Sequence, residues 1–230
     1  MIFSEKNAFL SRCAQELSSL YDEFTALPDL PLSALDPHST ALIVVDMVNG
    51  FAREGALASP RVGALAAPIA ALTRACRKKG MPVVAFADTH TPDSAELAAY
   101  PPHCLRGTAE SELVPEMREC AGEDMPGSFT LIEKNSTNGF VEPVFDAWRR
   151  ENPHIGAYVV VGDCTDICIH QFALTAKAFA NTRNRPLRVI IPAALADTFD
   201  APGHAADLAN AAALYSLRAN GAELCRSLLF

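Results

Sequence analysis

Short, continuous apolar runs alternate along the chain with stretches whose apolar positions recur every three to four residues. The runs at residues 41–46, 82–88, 128–134, 157–162 and 187–192 are rich in Val and Ile and read as strands buried on both faces. Between them, residues 60–79, 111–120, 141–150, 167–181 and 204–219 carry helical spacing, with stop signals at Gly80 and at Asn220-Gly221. Residues 222–225 form a marginal sixth strand. Strands alternating with helices imply right-handed crossovers and a mostly parallel sheet covered on both sides. The expected fold is α/β, a three-layer, doubly wound domain over residues 40–230.

The segment before it follows different rules. Residues 4–25 place Phe9, Leu10, Cys13, Leu17, Leu20 and Tyr21 at helical spacing, so an amphipathic helix is expected. Residues 27–38 contain Pro28, Pro31 and Pro37, which forbid regular helix and predict an irregular arm. Residues 1–39 are thus read as a helical extension.

Composition narrows the partners. A formal net charge of −8, with no Lys/Arg cluster along the sequence beyond residues 74–79, argues against a nucleic-acid or anionic-membrane surface and favours small molecules. No apolar run is long enough to span a bilayer, and residues 1–6 lack the charged and apolar regions of a secretory leader, so a cytoplasmic protein is expected. Seven scattered cysteines without Cys-x-x-Cys pairs fit free thiols in a reducing compartment. A homo-oligomer, formed through the amphipathic extension, is a further expectation.

In doubly wound sheets, ligands bind outside the carboxyl ends of the strands. Asp46, Asp88 and Lys134 end three of the runs, and Gly162 opens a turn toward Cys168 at the start of a helix. A thiol there meets unpaired N–H groups and the positive end of the helix dipole, which favour a thiolate. Asp46 would take its proton, Lys134 would stabilise the charge, and the amides of Cys164 and Cys168 would hold an oxyanion. Taken singly, Asp46 also suits a loop cap, Lys134 a partner for Glu133, and Cys168 the core. The loop at 89–108 is long and matches neither period, and with Asp88 it brings His90, Glu96 and His103 close in sequence. Such N/O donors suit zinc, manganese or iron(II), although the spacing is no strong zinc signature and a solvated histidine pair also satisfies it.

With these residues assembled, the chain resembles the nicotinamidase/pyrazinamidase branch of the isochorismatase-like cysteine hydrolases, whose fold is Rossmann-like. The likeness runs from about Ala41 to Leu224. It rests on Ile43-Val-Val-Asp46 with Phe51, Asp88-Thr-His90, Tyr100-Pro-Pro-His-Cys-Leu-Arg-Gly-Thr108, Glu133-Lys134 and Cys164-Thr-Asp-Ile-Cys168. The resemblance implies a catalytic triad of Asp46, Lys134 and Cys168, and a divalent metal, zinc foremost, on Asp88, His90, Glu96 and His103. It also implies Phe51 and Tyr100 against the substrate ring and a cis peptide between Asp163 and Cys164. The implied reaction is hydrolysis of nicotinamide to nicotinate and ammonia through a thioacyl intermediate. Another small amide, such as an N-carbamoyl compound, is the alternative substrate, and a non-catalytic binding subunit is the alternative class. The chain departs from the family pattern in its shorter metal loop and in Thr137, where some members carry an aromatic.

Overall fold

A computed structural model describes residues 5–230. Six parallel strands form the central sheet: β1 (Thr40–Val45), β2 (Val83–Asp88), β3 (Phe129–Lys134), β4 (Ala157–Gly162), β5 (Arg188–Pro192) and β6 (Glu223–Cys225). Their order across the sheet is β3-β2-β1-β4-β5-β6. The order reverses between β1 and β4, which places a crevice at their carboxyl ends.

Every residue of β1, β2 and β4 is buried, as continuous apolar runs require when both faces are covered. Helix α1 (Lys6–Thr25) precedes the sheet and the short α2 (Asn49–Ala52) follows β1, and alternate strand side chains then enter two cores. Leu42, Val44, Val83, Ala85, Val159 and Val161 pack under α3 (Pro60–Lys78) and α4 (Pro115–Gly122). Ile43, Val45, Val84, Phe86 and Val160 face α5 (Pro143–Glu151), α6 (His170–Asn181) and α7 (Ala206–Ala219). Phe86, Phe145 and Phe172 meet edge-on or tilted within that second core, at centroid separations of 5.3 to 5.7 Å. This is the expected three-layer arrangement, and the marginal sixth strand is real.

The differences are local. The expected helix at 111–120 is interrupted: Ser111 closes a 3-10 turn (Ala109–Ser111), residues 112–114 are not helical, and α4 begins at Pro115, whose fixed φ suits a first helical position. The helix expected from residue 167 starts instead as a π-helical turn, Thr165–Ile169, and becomes α-helical at His170. In the Pro-rich arm, Leu30–Pro31 pairs in parallel with Leu228–Leu229, so the arm is not wholly irregular. The N-terminal helix spans Lys6–Thr25, and residues 1–4, including the expected first helical residue, lie outside the described part. It buries only Leu20 and leaves Leu10, Leu17 and Tyr21 exposed. Its last turn is fastened to α7 by Arg218, which pairs with Glu23 and lies over the Phe24 ring. No helix among the described residues is long and apolar enough to cross a membrane.

Candidate active site

Strand register assembles the polar groups. Asp88 stands directly opposite Lys134 across β2 and β3. Val45 is opposite Phe86, so the next residue of the first strand, Asp46, arrives beside the end of the second. Asp46 has φ +54, a left-handed conformation that Asp tolerates better than most residues, and the chain leaves the sheet there. Gly162, opposite Val45, has φ +117, and a Cβ on it would collide with the Val45 carbonyl oxygen. Only glycine allows the turn that returns the chain toward Cys168. The Asp163–Cys164 peptide is cis, as the resemblance implies.

Lys134 ties the site together. Its Nζ lies 2.6 Å from Asp88 Oδ1, 2.9 Å from Asp46 Oδ2 and 4.0 Å from Cys168 Sγ. All four residues are buried. Burial pushes the Asp46 carboxyl up to about 7, and Asp88 adds to the rise, while Lys134 and more weakly the Cys168 thiol oppose it. Burial also favours the neutral form of Lys134, but Asp46, Cys168 and Asp88 outweigh it and hold the ammonium. For Cys168 burial dominates over Lys134, and the thiol lies well above its ordinary value. The thiolate expected from the helix terminus is therefore not the resting form. Burial among carboxylates outweighs the helix terminus, and the thiol depends on the base expected from the sequence, Asp46.

On the other side of Asp88 lies a compact donor set. Asp88, His90, Glu96 and His103 each offer one atom, and these atoms lie within 4.8 Å of one another. Asp88 Oδ2 is 2.8 Å from His90 Nε2 and 3.0 Å from His103 Nε2, and Glu96 Oε1 is 3.7 Å from His90 Nε2. His103 donates its Nδ1 proton to the Pro101 carbonyl at 2.8 Å, so in the neutral ring its Nε2 is a bare acceptor facing a carboxylate oxygen. His90 Nδ1 is likewise engaged, by Asn135 Oδ1 at 2.9 Å and Ser94 Oγ at 3.2 Å. Asp88 Oδ2 and His90 Nε2 are buried without a well-formed hydrogen bond. Acceptors converging in this way require a shared cation. Protonating the rings is one solution, and Asp88 does raise His90, but the two rings are only 4.7 Å apart between centroids. A divalent ion satisfies every group at once, and the outer hydrogen bonds fix the tautomers it needs. The residues present fit a metal.

Next to both clusters is a tight cavity of about 30 Å³, lined by Phe51, Tyr100, His103, Cys164 and Cys168 among others. Phe51 and Tyr100 meet His103 at centroid distances of 5.6 and 6.1 Å. The residues singled out in the sequence thus converge on one place. Thr137 also reaches the wall, and its amide donates to Glu96 Oε2 at 2.9 Å. Leu57, Ile167 and Phe199 complete the lining and were missed, as was Asn135 behind His90. Asn135 directly follows Lys134, a signal that could have found it; Phe199 lies in a loop with no periodicity and offered none.

Known proteins place this arrangement. The isochorismatase domain model matches residues 40–225. The chain is 34% identical to nicotinamidase 1 of Arabidopsis thaliana over 87% of its own length and 91% of the relative's. Among solved structures it is similar to N-carbamoylsarcosine amidase of Thermoplasma acidophilum, with a TM-score of 0.65, 31% identity and coverage of 82% of this chain and 96% of that one. It is also similar to the nicotinamidase of Bacillus subtilis, with a TM-score of 0.66, 26% identity and coverage of 81% and 99%. From the sheet order and the matched span together, the chain belongs to the isochorismatase family of hydrolases.

Proposed function

We propose that the protein is a nicotinamidase, a cysteine amidase that converts nicotinamide to nicotinate and ammonia. The observation that carries this reading is the contact of one buried lysine, Lys134, with Asp46, Asp88 and Cys168 beside an aromatic-walled cavity. Asp46 takes the Cys168 proton, and the Lys134 ammonium lowers the cost of the thiolate in a buried place. The thiolate attacks the amide carbon, and the developing oxyanion is received by the amides of Cys164 and Cys168. Other amides of the turn are committed elsewhere: Thr165 to the Asp197 carbonyl, and Ile167 and Ile169 to the Cys164 carbonyl. The carbon–nitrogen bond breaks as Asp46 returns the proton to the leaving ammonia, leaving a thioester. Water, deprotonated by Asp46, then cleaves the thioester and regenerates the thiol.

Asp88, His90, Glu96 and His103 would hold a divalent ion, with zinc foremost for this nitrogen and oxygen donor set. Bound there, the ion would supply Lewis acidity toward a ring nitrogen or water. Phe51 and Tyr100 flank the aromatic ring and orient the amide toward Cys168. The similarity to an N-carbamoylsarcosine amidase supports a second reading, in which the same triad hydrolyses an N-carbamoyl compound. The metal-ligand set beside the cavity favours the pyridine substrate, because an N-carbamoyl group has no ring nitrogen to present to it.

The Cys168→Ala protein tests the covalent step. It is expected to lose at least ~1000-fold in kcat while still binding nicotinamide, as removal of a nucleophile does elsewhere. Near-normal turnover in this variant would rule out the mechanism, and preferential turnover of N-carbamoylsarcosine by the unaltered protein would select the second substrate.

A further inference from the structure

A larger cavity, about 290 Å³, lies at the opposite edge of the sheet and takes no part in the chemistry above. It opens where α5 and α6 end and where β4 and β5 begin, between Arg149, Arg150, Arg183 and Arg185 over an apolar floor that includes Phe179 and Leu187. The sequence hides this cluster, since two short segments more than thirty residues apart supply its arginines.

Its charge balance is unlike the rest of the molecule. Most guanidinium groups elsewhere sit on carboxylates, as Arg53 does on Glu116, Arg74 on Glu119 and Glu123, Arg188 on Glu223 and Arg226 on Asp29, while the buried Arg77 stands singly, held by the Gly127, Cys120 and Glu123 carbonyls. Around the cavity four guanidiniums share one carboxylate. Asp146 is bound by both Arg149 and Arg150, at 2.5 and 2.6 Å. Arg183 donates to the Phe179 carbonyl and the Thr182 hydroxyl, and Arg185 to the Pro153 carbonyl; neither has a carboxylate within salt-bridge distance among the described residues.

The cluster is also held in place. The Arg149 guanidinium is inserted between Phe140 and Phe179, 4.4 and 4.2 Å from their centroids, with its side chain only 12% exposed. Its Nε is buried without a partner. Arg183 covers the Phe179 ring at 3.6 Å. Burial lowers the Arg149 pKa; Asp146 and Tyr158 oppose this, and the positive neighbours Arg183 and Arg150 add smaller contributions in the same direction as burial. Last-turn arginines do complement helix dipoles, and that accounts for Arg149 and Arg150. It does not account for Arg183 and Arg185, which follow α6 and face the same space.

We propose that this cavity binds a phosphate group, either free or carried as a phosphomonoester by a small organic molecule. A phosphate dianion accepts several guanidinium forks at once and neutralises the excess charge, whereas a carboxylate is one charge and planar. The volume and the apolar floor leave room for an organic body beyond the phosphate.

Isothermal titration calorimetry of the full chain at low salt tests this, with inorganic phosphate and adenosine monophosphate as probes and citrate and adenosine as controls. Saturable binding of either phosphate probe is expected, weakened about tenfold or more in the Arg150→Gln/Arg183→Gln protein. Tighter binding of the monophosphate identifies the phosphomonoester, and equal binding the free anion. If loss of Arg183 from the Phe179 ring unsettles α6, Arg150→Gln alone reads the same site at a side chain that is 79% exposed. Absence of saturation by ~10 mM, unchanged affinity in the variants, or citrate or adenosine binding as tightly as the phosphates would overturn the proposal.

Discussion

Lys134 donates to Asp88 at 2.6 Å, and through that contact one buried carboxylate serves two clusters. Asp88 gives Oδ1 to the lysine and Oδ2 to His90 and His103. Burial pushes its carboxyl up, but Lys134 and the two imidazoles outweigh burial, and the net direction is strongly down. A permanently ionised Asp88 keeps Lys134 charged and beside Cys168 and, in the same act, presents an anionic ligand to the metal position. The nucleophile and the metal-binding loop are coupled through a single side chain.

Replacing Lys134 with Met would leave Asp46 and Asp88 buried without their shared cation. Removing one partner of such a buried arrangement costs ~3–5 kcal/mol. Urea unfolding of Lys134→Met is expected to show a loss of that size along with loss of activity. An unfolding midpoint equal to that of the unaltered protein would mean that the two carboxylates do not depend on the lysine.

The proton acceptor should be visible in the pH profile. Asp46 is raised to about 7, mainly by burial, and accepts a proton only when ionised. As pH falls through that value Asp46 protonates, and kcat/KM is expected to fall with it, about tenfold per pH unit on the acid limb. The same shift acts on stability with a definite sign. The folded state holds this proton up to about pH 7 whereas an unfolded Asp releases it near 4, so this group's contribution declines as pH rises between those values. An acid limb that persists unchanged in Asp46→Asn, in whatever residual activity remains, would assign it to another group.

Most of the fold was legible because β-branched runs and helical spacing are local signals, and the carboxyl-edge rule then placed Asp46, Asp88, Lys134 and Cys168 together. Their contacts were not legible. That Lys134 reaches Asp88 follows from β2–β3 register, which depends on pairing between residues 46 positions apart. The π-helical turn under Cys168 was hidden because Ile167, Ile169 and Phe172 satisfy either helical period over so short a span. Phe199 reached the cavity wall without any sequence signal, since its position is set by side-chain contacts of a loop.

Those contacts centre on His204. Its ring stacks on Phe199 at 4.1 Å, its Nδ1 donates to the Phe199 carbonyl at 2.8 Å, and its Nε2 meets Asp166 Oδ2 at 2.8 Å. The hydrogen bond with Asp166 raises the His204 pKa, and the charge of Asp200 adds to it, while Arg61 pairs with Asp197, Asp200 and Asp207 around the same loop. A raised folded-state pKa stabilises below about pH 6.5, and that contribution is lost as pH rises through the folded value. KM is therefore expected to rise at alkaline pH with kcat retained, and His204→Ala should raise KM several-fold already near neutrality. A His204→Ala protein with unaltered KM would show that Phe199 holds its place without the histidine.

Ammonia release from nicotinamide, followed before and after chelation and after adding back zinc, manganese or iron, tests the central claim most directly. Turnover that is lost on chelation and restored by one of these metals is the predicted result, and it requires both the Asp46–Lys134–Cys168 cluster and the Asp88, His90, Glu96 and His103 set. No ammonia from nicotinamide in metal-loaded protein would contradict the account.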